Sequence, residues 1–532
     1  MLFNSYEYIL AFLPVTAAVF LLLGRHSKDW ALGWLILASV FFYAWWRPFN
    51  LAIIGPSLAV NYVFARALLP LADNKRARMR TMVLVLGIAF NIGFLGYFKY
   101  ANFAVTVATD LTGSHLTLEQ IVLPLGISFI TFQKIAFLVD VAGGRVRRVC
   151  LRDFLLFVMF FPQLIAGPIV HYGETMPQFE RATCRFNATL YATGVTLFCF
   201  GLCKKVVLAD GIAEHVSPVF AFAATGAEVT LLQAWLAAVG FTLQIYFDFS
   251  GYSDMACGAA LLFGVRLPLN FDSPLQATNI IDFWLRWHVT LTRFLTAYVY
   301  NPIALALTRR RVARKWPMLS ARGSHVGAFL HVLAFPTLTT MLISGIWHGA
   351  GYTFVLWGVL HGLYIIINHA WRQYGPAGGG PRVRAFAGFA LTFLAVVLAM
   401  VLFRAPNLAV AANVLGGMLG LHGLGLPERL AEMLNLRPMV LLDGAVSLRS
   451  FALAAANLAG LLAIVLLMPN SVQMMADFEP VLQTPKRPSR VAGIGLGVRW
   501  RPSLSWMICI AAIAAISMIR LSGRSEFLYW QF

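Results

Sequence analysis

The chain has 532 residues, of which 59% are hydrophobic and only 12% are charged, and its mean hydropathy is +0.74. A soluble domain carries about 25% charged residues, so this composition excludes a soluble protein and indicates a membrane-embedded one. The formal net charge is +19, but Lys and Arg lie in short clusters between apolar runs, such as residues 145–152 and 309–315. That is the pattern of cytoplasmic loops and not of a nucleic-acid groove.

Apolar runs of membrane-spanning length recur along nearly the whole chain. A hydrocarbon core of about 30 Å needs about 20 apolar residues per helix. The predicted spans are residues 7–24, 30–46, 50–69, 81–98, 119–139, 153–170, 189–209, 229–248, 328–346, 351–369, 385–403, 450–468 and 505–520. Gly and Pro interrupt several of them, as at residues 123–128, so some are expected to be re-entrant and between about ten and thirteen to cross.

The loops give the predicted topology. No Lys or Arg precedes the first run, whereas Arg25 and Lys28 follow it, which predicts a retained first span with the chain start outside. Residues 280–288 mix charge, tryptophan and aliphatic side chains, and they are predicted to form a partly inserted amphipathic helix. Residues 309–315 and 469–504 are basic and should be cytoplasmic, and residues 404–449 should face the other side.

Two carboxylates, Asp248 and Asp254, flank Ser250 and Gly251 at the end of an apolar run. Ionisable groups inside spans are costly, so they usually line a cavity and have a role. The pair could bind a cation or orient a histidine. The structural alternative, which we favour from the residues alone, is that they cap a helix broken at Ser250–Gly251.

His288 ends the predicted amphipathic helix, directly after Arg286 and Trp287. Taken alone, such a histidine is more often a satisfied interfacial side chain than a catalytic one. The positive charges of Arg286 and Arg293 would disfavour a protonated imidazole, which predicts a neutral ring able to accept a proton.

His348 lies between the runs 328–346 and 351–369, at the turn far from the cytoplasmic residues 309–315. Gly345, Gly349 and Gly351 surround it, so a substrate or a neighbouring backbone can approach closely. A histidine framed by glycines in an apolar setting, with no nearby acid, suits a general base, and a packed histidine stays the alternative.

The remaining motifs argue against other chemistries. His361 and His369, on the returning run, could line a passage, although packing is the favoured interpretation. Neither they nor His348 form an i, i+4 pair or have a carboxylate at ligand spacing, so no metal site is expected. The sequence also has no G-x-S-x-G elbow, P-loop or dinucleotide fingerprint, which leaves a covalent serine mechanism unsupported.

At these clusters the sequence resembles the membrane-bound O-acyltransferase superfamily, in particular its bacterial alginate O-acetyltransferase-like branch. The resemblance is carried by Gly-Pro-Ile at 167–169, residues 246–256 (YFDFSGYSDMA), 268–271 (PLNF), 283–291 (FWLRWHVTL), 347–350 (WHGA) and 357–362 (WGVLHG), and by residues 2–5 and 527–532 at the ends. Several long motifs in order, from end to end, make it specific.

The resemblance implies an all-α polytopic membrane protein with one acyltransferase domain over residues 1–532. Its motifs lie at about 119–370 and its C-terminal helices at about 385–532. It implies a ring of about ten to thirteen transmembrane helices around a central tunnel, with re-entrant and interfacial helices. His348 would be the essential residue and His288 its partner. Tunnel or supporting positions would be Trp347, Gly349, His361, Asn270, Asp248, Asp254, Arg286 and Trp287.

The expected function is O-acyl transfer in a bacterial inner (cytoplasmic) membrane. Acetyl would pass to hydroxyls of an exported or cell-surface, alginate-like polysaccharide, directly or through a periplasmic partner. The donor would be acetyl-CoA or an acylated carrier, with no tightly bound cofactor. Peptidoglycan O-acetylation and teichoic-acid D-alanylation stay open as alternatives. Outside the enzyme class, the rivals are a polysaccharide transporter or export subunit, against which the absence of two related halves argues, and a non-catalytic synthase scaffold.

Overall fold

The structure, a computed structural model, describes residues 1–71, 76–113, 117–320, 325–375, 380–484, 497–521 and 528. The described chain is almost entirely helical. Its first α-helices are α1 (Leu13–His26), α2 (Lys28–Ala44), α3 (Phe49–Leu68), α4 (Ala77–Leu95), α5 (Ala101–Thr112), α6 (Ile127–Ala142), α7 (Leu151–Met159), α8 (Phe161–Leu164), α9 (Tyr172–Arg181), α10 (Ala188–Cys203), α11 (Asp210–Ala224) and α12 (Leu231–Leu261).

The second half continues the helical pattern. Its helices are α13 (Ile280–Arg286), α14 (Val289–Leu295), α15 (Asn301–Ala313), α16 (Val326–Ala328), α17 (Phe335–His348), α18 (Tyr352–Tyr374), α19 (Pro381–Arg404), α20 (Leu408–Met418), α21 (Glu428–Leu434), α22 (Leu448–Leu467), α23 (Ser471–Met474) and α24 (Leu504–Arg520). A small antiparallel hairpin pairs β1 (Val440–Leu441) with β2 (Gly444–Ala445), with Val440 opposite Ala445.

Short segments of other helix types join these elements. The π-helical segments are Glu7–Phe12, Gly96–Tyr100, Lys204–Ala209, Thr296–Tyr300 and Phe329–Ala334, and the 3₁₀ turns are Leu69–Leu71, Pro274–Gln276 and Ala476–Phe478. The π segments extend several α-helices, so that residues 77–112 and 188–224 form long continuous helices.

Eight helices of the described chain are long and apolar enough to cross a membrane: Glu7–His26, Phe49–Leu71, Ala77–Thr112, Ala188–Ala224, Val326–His348, Tyr352–Tyr374, Arg382–Arg404 and Leu448–Leu467. The shorter apolar helices α20 and α24 would bring the number to ten. Large apolar side chains such as Leu22, Val63 and Ile367 are exposed on these elements, as expected where lipid covers them. The protein is an all-α polytopic membrane protein, as predicted.

Two predicted spans are interrupted. The run 119–139 becomes helical only at Ile127, because Gly126 adopts a left-handed conformation with φ +67°. This break lies in the predicted segment 123–128. The run 153–170 divides into α7 and α8, since Phe160 leaves helical geometry at ψ 110° and Pro162 favours a helix start over a helix interior.

Close packing of α10 against α12 holds the centre of the fold. A Cβ atom on Gly201 would lie 2.5 Å from the carbonyl oxygen of Gly251, and one on Gly258 would lie 2.5 Å from that of Gly194. Small residues allow helices in membranes to approach this closely. The helix α12 runs unbroken through Ser250–Gly251, so the predicted break there is wrong. Gly251 serves helix packing and not a helix end.

One continuous cluster of buried apolar side chains extends from Met1 to Leu528, and a single domain stays a prediction. Apart from Leu528, the C-terminal motif at 527–532 lies outside the described residues. The described Leu528 is buried, and its backbone N–H donates to Asp248 Oδ2 at 3.2 Å. Met1 and Leu528 therefore belong to the same buried apolar cluster.

Candidate active site

His348 is the last residue of α17, at the turn predicted from the sequence. The chain then leaves the helix at Gly349, whose backbone is extended (φ −159°, ψ 152°), and α18 returns from Tyr352. A Cβ atom on Gly345 would lie 2.3 Å from the carbonyl oxygen of Phe354. The glycine therefore permits the close helix pairing that fixes where His348 ends its helix.

Aromatic rings surround the His348 imidazole. The ring centroids of Trp347, Trp357 and Phe403 lie 4.9, 5.1 and 5.2 Å from it, the last two in edge-on contact. The residue is 5% exposed. These rings come from α17, α18 and α19, so three helices together build an apolar chamber around one histidine.

His288 joins α13 to α14 and is fully buried. Its backbone is left-handed, with φ 44° and ψ 52°, a conformation that costs a non-glycine residue free energy and is often found at functional sites. The helix predicted over residues 280–288 ends at Arg286, and a second short helix begins directly after His288. The bend turns the imidazole into the protein interior.

A polar network fixes the His288 ring. Its Nδ1 atom lies 3.0 Å from Asn270 Oδ1, which also accepts from Thr290 Oγ1 at 2.9 Å. The Asn270 amide nitrogen donates to Ser253 Oγ at 3.0 Å, which assigns the oxygen to the side facing His288. His288 therefore donates from Nδ1, and its Nε2 atom presents a lone pair.

The two imidazoles converge. Their ring centroids lie 6.5 Å apart at an interplanar angle of 55°. Trp347 contacts both of them, at 6.2 Å from His288 and 4.9 Å from His348, and Phe249 of α12 contacts the His288 ring at 4.7 Å. Two histidines from separate motifs thus occupy one buried site.

Two clefts lie beside the helices that carry His288. The larger, of about 590 Å³, is lined by the charged and polar side chains Asp140, Arg145, His171, Glu174, Arg293 and Tyr298. The smaller, of about 280 Å³, is lined by threonines, Tyr300, Met341 and His369. Trp284, Thr292 and Thr296 line both. The Trp284 ring contacts Trp357, which in turn contacts His348, so two tryptophan rings link the wall of the clefts to the His348 imidazole.

Charges in the larger cleft are mostly compensated. Asp140 accepts from Arg145 at 3.0 Å, and Glu174 pairs with Arg293. His171 Nδ1 lies 3.1 Å from the Tyr298 hydroxyl, and burial lowers the pKa of this imidazole. The side chain of Arg145 is 72% exposed, so it is the cation in the cleft that an incoming anion can reach most easily.

Comparison with known proteins agrees with this arrangement. The model of the membrane-bound O-acyltransferase family matches residues 86–316. A peptidoglycan O-acetyltransferase of Helicobacter pylori is 37% identical over 82% of this chain and 83% of its own length. A probable alginate O-acetylase of Pseudomonas aeruginosa is 33% identical over the full length of both. The chain belongs to the membrane-bound O-acyltransferase family.

The chain is therefore an acyltransferase of this family. The family match contains His288 and ends before His348, whereas the full-length relative covers both. A teichoic acid D-alanyltransferase of Bacillus subtilis is more distant, at 28% identity over 44% of this chain and 56% of its own length. The predicted family is confirmed, and the roles of individual residues stay predictions.

The structure brings together part of the predicted site. His348, His288, Trp347 and Asn270 lie in one cluster, as described above. His361 is fully buried and, like His348, contacts Trp357: its ring lies 4.6 Å from Trp357 and 5.2 Å from Trp284. Trp287 stacks on Phe283 at 5.5 Å. At Gly349, a Cβ atom would lie 2.2 Å from the Phe354 ring, so packing requires this glycine.

Asp248 and Asp254 do not cap a broken helix or orient a histidine. Asp248 pairs with Lys205 at 2.7 Å, with both side chains 1% exposed, and Asp254 pairs with Lys204 at 2.6 Å. The cations that they bind are thus lysines of the π-helical segment after α10. These two carboxylates join α12 to that segment, while Phe249 and Ser253 of the same helix turn toward His288 and Asn270.

The arginines near His288 also have other partners than predicted. Arg286 bonds Asp282 at 2.8 Å, and Arg293 pairs with Glu174. Their charges are compensated by carboxylates, so the argument that they keep His288 neutral is wrong, and the bond to Asn270 is the observed constraint on its protonation. Within the basic segment 309–315, Arg311 is buried and donates to the carbonyl oxygens of Pro317 and Gly327.

Sequence reasoning missed three residues that contact the site. Phe403 and Trp357 contact the His348 ring, but an aromatic residue in an apolar span gives no separate signal. Lys99 did have a signal, because a lysine inside an apolar run is costly and calls for a partner. The predicted span ended at residue 98 and left it out.

Among the described residues, no group of three His, Cys, Asp or Glu side chains could hold a metal.

Proposed function

We propose that this chain transfers an acetyl group to hydroxyls of an exported or cell-surface polysaccharide, with His348 as the general base. The observation that carries the proposal is the pair of buried imidazoles 6.5 Å apart at the end of a spanning helix. The relatives support the acceptor class, since two of them are named for alginate and peptidoglycan acetylation.

The proposed reaction needs one proton acceptor and one orienting group. His348 takes the proton of the attacking hydroxyl while its oxygen forms a bond to the thioester carbonyl carbon. The carbon–sulfur bond then breaks, the ester forms, and the imidazolium returns the proton to the thiolate. The attacking hydroxyl has one proton, which goes to His348, so His288 orients the acceptor by accepting, at its Nε2 lone pair, a hydrogen bond from a neighbouring hydroxyl of the sugar. His288 cannot donate a hydrogen bond to the acyl carbonyl while Nδ1 keeps its proton.

The larger cleft is the proposed entrance for the acyl donor. Arg145 lines it and begins the basic segment 145–152, and Asn301 lines it eight residues before Arg309, where the basic segment 309–315 begins. Both segments are predicted to be cytoplasmic, which is where acetyl-CoA or an acylated carrier is found. The positive potential there would attract the phosphates of either donor.

The acceptor and the route of delivery are the finer part of the proposal. We favour an alginate-like polymer because the probable alginate O-acetylase aligns over the full length of both chains. Peptidoglycan is the second candidate, because the peptidoglycan O-acetyltransferase has the higher identity of the two, 37%. A periplasmic partner that receives the acetyl group first is compatible with either acceptor, and the inner membrane is the proposed location.

Purified protein in lipid nanodiscs tests the proposal. We expect label from radioactive acetyl-CoA to appear on de-acetylated alginate or on peptidoglycan, either directly or after addition of a periplasmic fraction. The His348→Ala variant, at equal protein level, is the blank. Absence of transfer from acetyl-CoA and from an acetylated carrier protein to both polymers, with the periplasmic fraction present, would contradict the proposed acceptor class.

A further inference from the structure

Lys99 is a partly buried cation in a membrane-spanning helix. It lies in the π-helical segment Gly96–Tyr100, which joins α4 to α5 within the span Ala77–Thr112. Charged side chains at membrane depth are rare because their burial is costly, and they usually serve a site. The contacts of Lys99 are directed at one helix end: its Nζ donates to the carbonyl oxygens of Trp347 at 2.5 Å and His348 at 3.2 Å.

Tyr100 continues the same contact. Its hydroxyl donates to the carbonyl oxygen of Ile346 at 2.9 Å. Residues 346, 347 and 348 are the last three of α17, and the last carbonyls of a helix have no partner within it. Two neighbouring side chains therefore satisfy three successive terminal carbonyls, and one of them is a cation at the negative end of the helix dipole.

Lys99 and Tyr100 are the last two residues of a π-helical segment. Side chains at i and i+1 of a regular α-helix point about 100° apart and do not meet the same neighbour. A π segment locally widens the helix, and such segments are frequent at functional sites. Ser128 Oγ, at 3.5 Å, is a further neighbour of the Lys99 ammonium.

We infer that Lys99 and Tyr100 are positioning residues that clamp the end of α17 and so fix the imidazole of His348. The inference rests on the proposed role of His348 as the base. Helix ends fray, and this one is followed at once by the extended residue Gly349. Neither clamp residue needs to touch the substrate. Without them, the last turn of α17 would loosen and the ring would lose its fixed distance to His288.

A kinetic comparison separates positioning from a general role in folding. We expect Lys99→Met to lower kcat for transfer from radioactive acetyl-CoA to de-acetylated alginate by about 10- to 100-fold, with little change in KM. Lys99→Arg keeps the cation and should recover part of the loss. Tyr100→Phe removes one hydrogen bond and should lower kcat by about 3- to 10-fold, which provides a test if Lys99→Met does not fold.

Lys134→Met is the matched control. Lys134 is likewise a lysine inside an apolar helix and is fully buried, whereas Lys99 is partly buried. The Lys134 ammonium donates to Ser57 Oγ at 2.6 Å and lies over the Phe94 ring. Its loss should lower thermal stability and leave kcat of the folded protein unchanged. If Lys99→Met and Lys134→Met lowered stability and kcat equally, Lys99 would be only a structural residue and the clamp would be refuted.

A second measurement does not depend on activity. Diethylpyrocarbonate modifies accessible imidazoles, and mass spectrometry gives the rate for each residue. We expect Lys99→Met and Tyr100→Phe to raise the rate at His348 relative to His369, and Lys134→Met to leave the ratio unchanged. An unchanged ratio in both clamp variants overturns the inference. Retained transfer in His348→Ala would instead contradict the proposed base, and the labelling would still decide whether the clamp holds the ring.

Discussion

The imidazole Nδ1 atom of His288 lies 3.0 Å from the side-chain oxygen of Asn270, and both residues are buried. The same oxygen accepts from the hydroxyl of Thr290, whose oxygen in turn accepts from the backbone N–H of Ile169. These side chains bond one another inside an apolar core, so the network fixes one tautomer and one ring orientation of His288. Asn270, in the motif at 268–271, thus orients His288, in the motif at 283–291.

Replacement of Asn270 by Ala should lower the turnover number by about 10- to 100-fold, because the His288 ring loses the acceptor that sets its tautomer and orientation. Asn61→Ala is the control, since Asn61 forms a buried amide pair with Asn91 and has no part in the site. Acetyl-transfer kinetics at equal protein level provide the measurement. Equal kcat values for the two variants would show that the network is not needed for catalysis.

The Lys205–Asp248 pair should behave as a structural element. Lys205→Met leaves the Asp248 carboxylate buried without its principal cation, so we expect a loss of about 3–5 kcal/mol in the free energy of unfolding. The double change Lys205→Met with Asp248→Leu removes both charges and should recover most of that loss. Denaturant unfolding in detergent measures both values. A double variant that is stable but inactive would return Asp248 to the list of site residues.

Gly345→Ala should destabilise the pairing of α17 with α18. The added Cβ atom would lie 2.3 Å from the carbonyl oxygen of Phe354, and such overpacking costs about 1–3 kcal/mol. Gly93→Ala, where nothing lies within 4 Å of the added atom, is the matched control and should be neutral or stabilising. Thermal unfolding compares the two. We also expect lower activity only for Gly345→Ala, since its displaced helix carries His348.

Arg145→Ala should raise KM for acetyl-CoA and leave kcat nearly unchanged, because the exposed guanidinium contributes to donor binding and not to the chemical step. The wild-type KM should rise with ionic strength, and that salt dependence should be weaker in the variant. Arg437→Ala is the control. Arg437 is exposed and pairs with Glu228. Arg437 lies in residues 404–449, the loop that is predicted to face the other side of the membrane. Equal effects of the two changes would contradict the proposed entrance.

Much of the fold was predictable from the apolar runs. The helices at residues 7–26, 49–71 and 326–348 lie close to the predicted spans, because a bilayer imposes one length on every crossing. The break before Ile127 was also predictable, since Gly and Pro stand together there. In contrast, the left-handed backbone of His288 has no local signal, because its surroundings impose it.

The site was only partly predictable for a related reason. The turn at His348 follows from two apolar runs separated by glycines, and the resemblance selected the two histidines. The partners of Asp248 and Asp254 lie more than 40 residues earlier, in Lys205 and Lys204, so spacing alone could not distinguish an ion pair between helices from a helix cap. Lys99 and Phe403 reach His348 only through the packing of distant helices.

The most direct measurement compares His348→Ala with His361→Ala. His348 and His361 are both buried, and both contact Trp357. With each variant in nanodiscs at equal protein level, we predict that transfer of labelled acetyl to the polysaccharide falls to the background rate in His348→Ala and persists in His361→Ala. Wild-type transfer by His348→Ala would contradict the account, because the residue assigned as the base would then be dispensable.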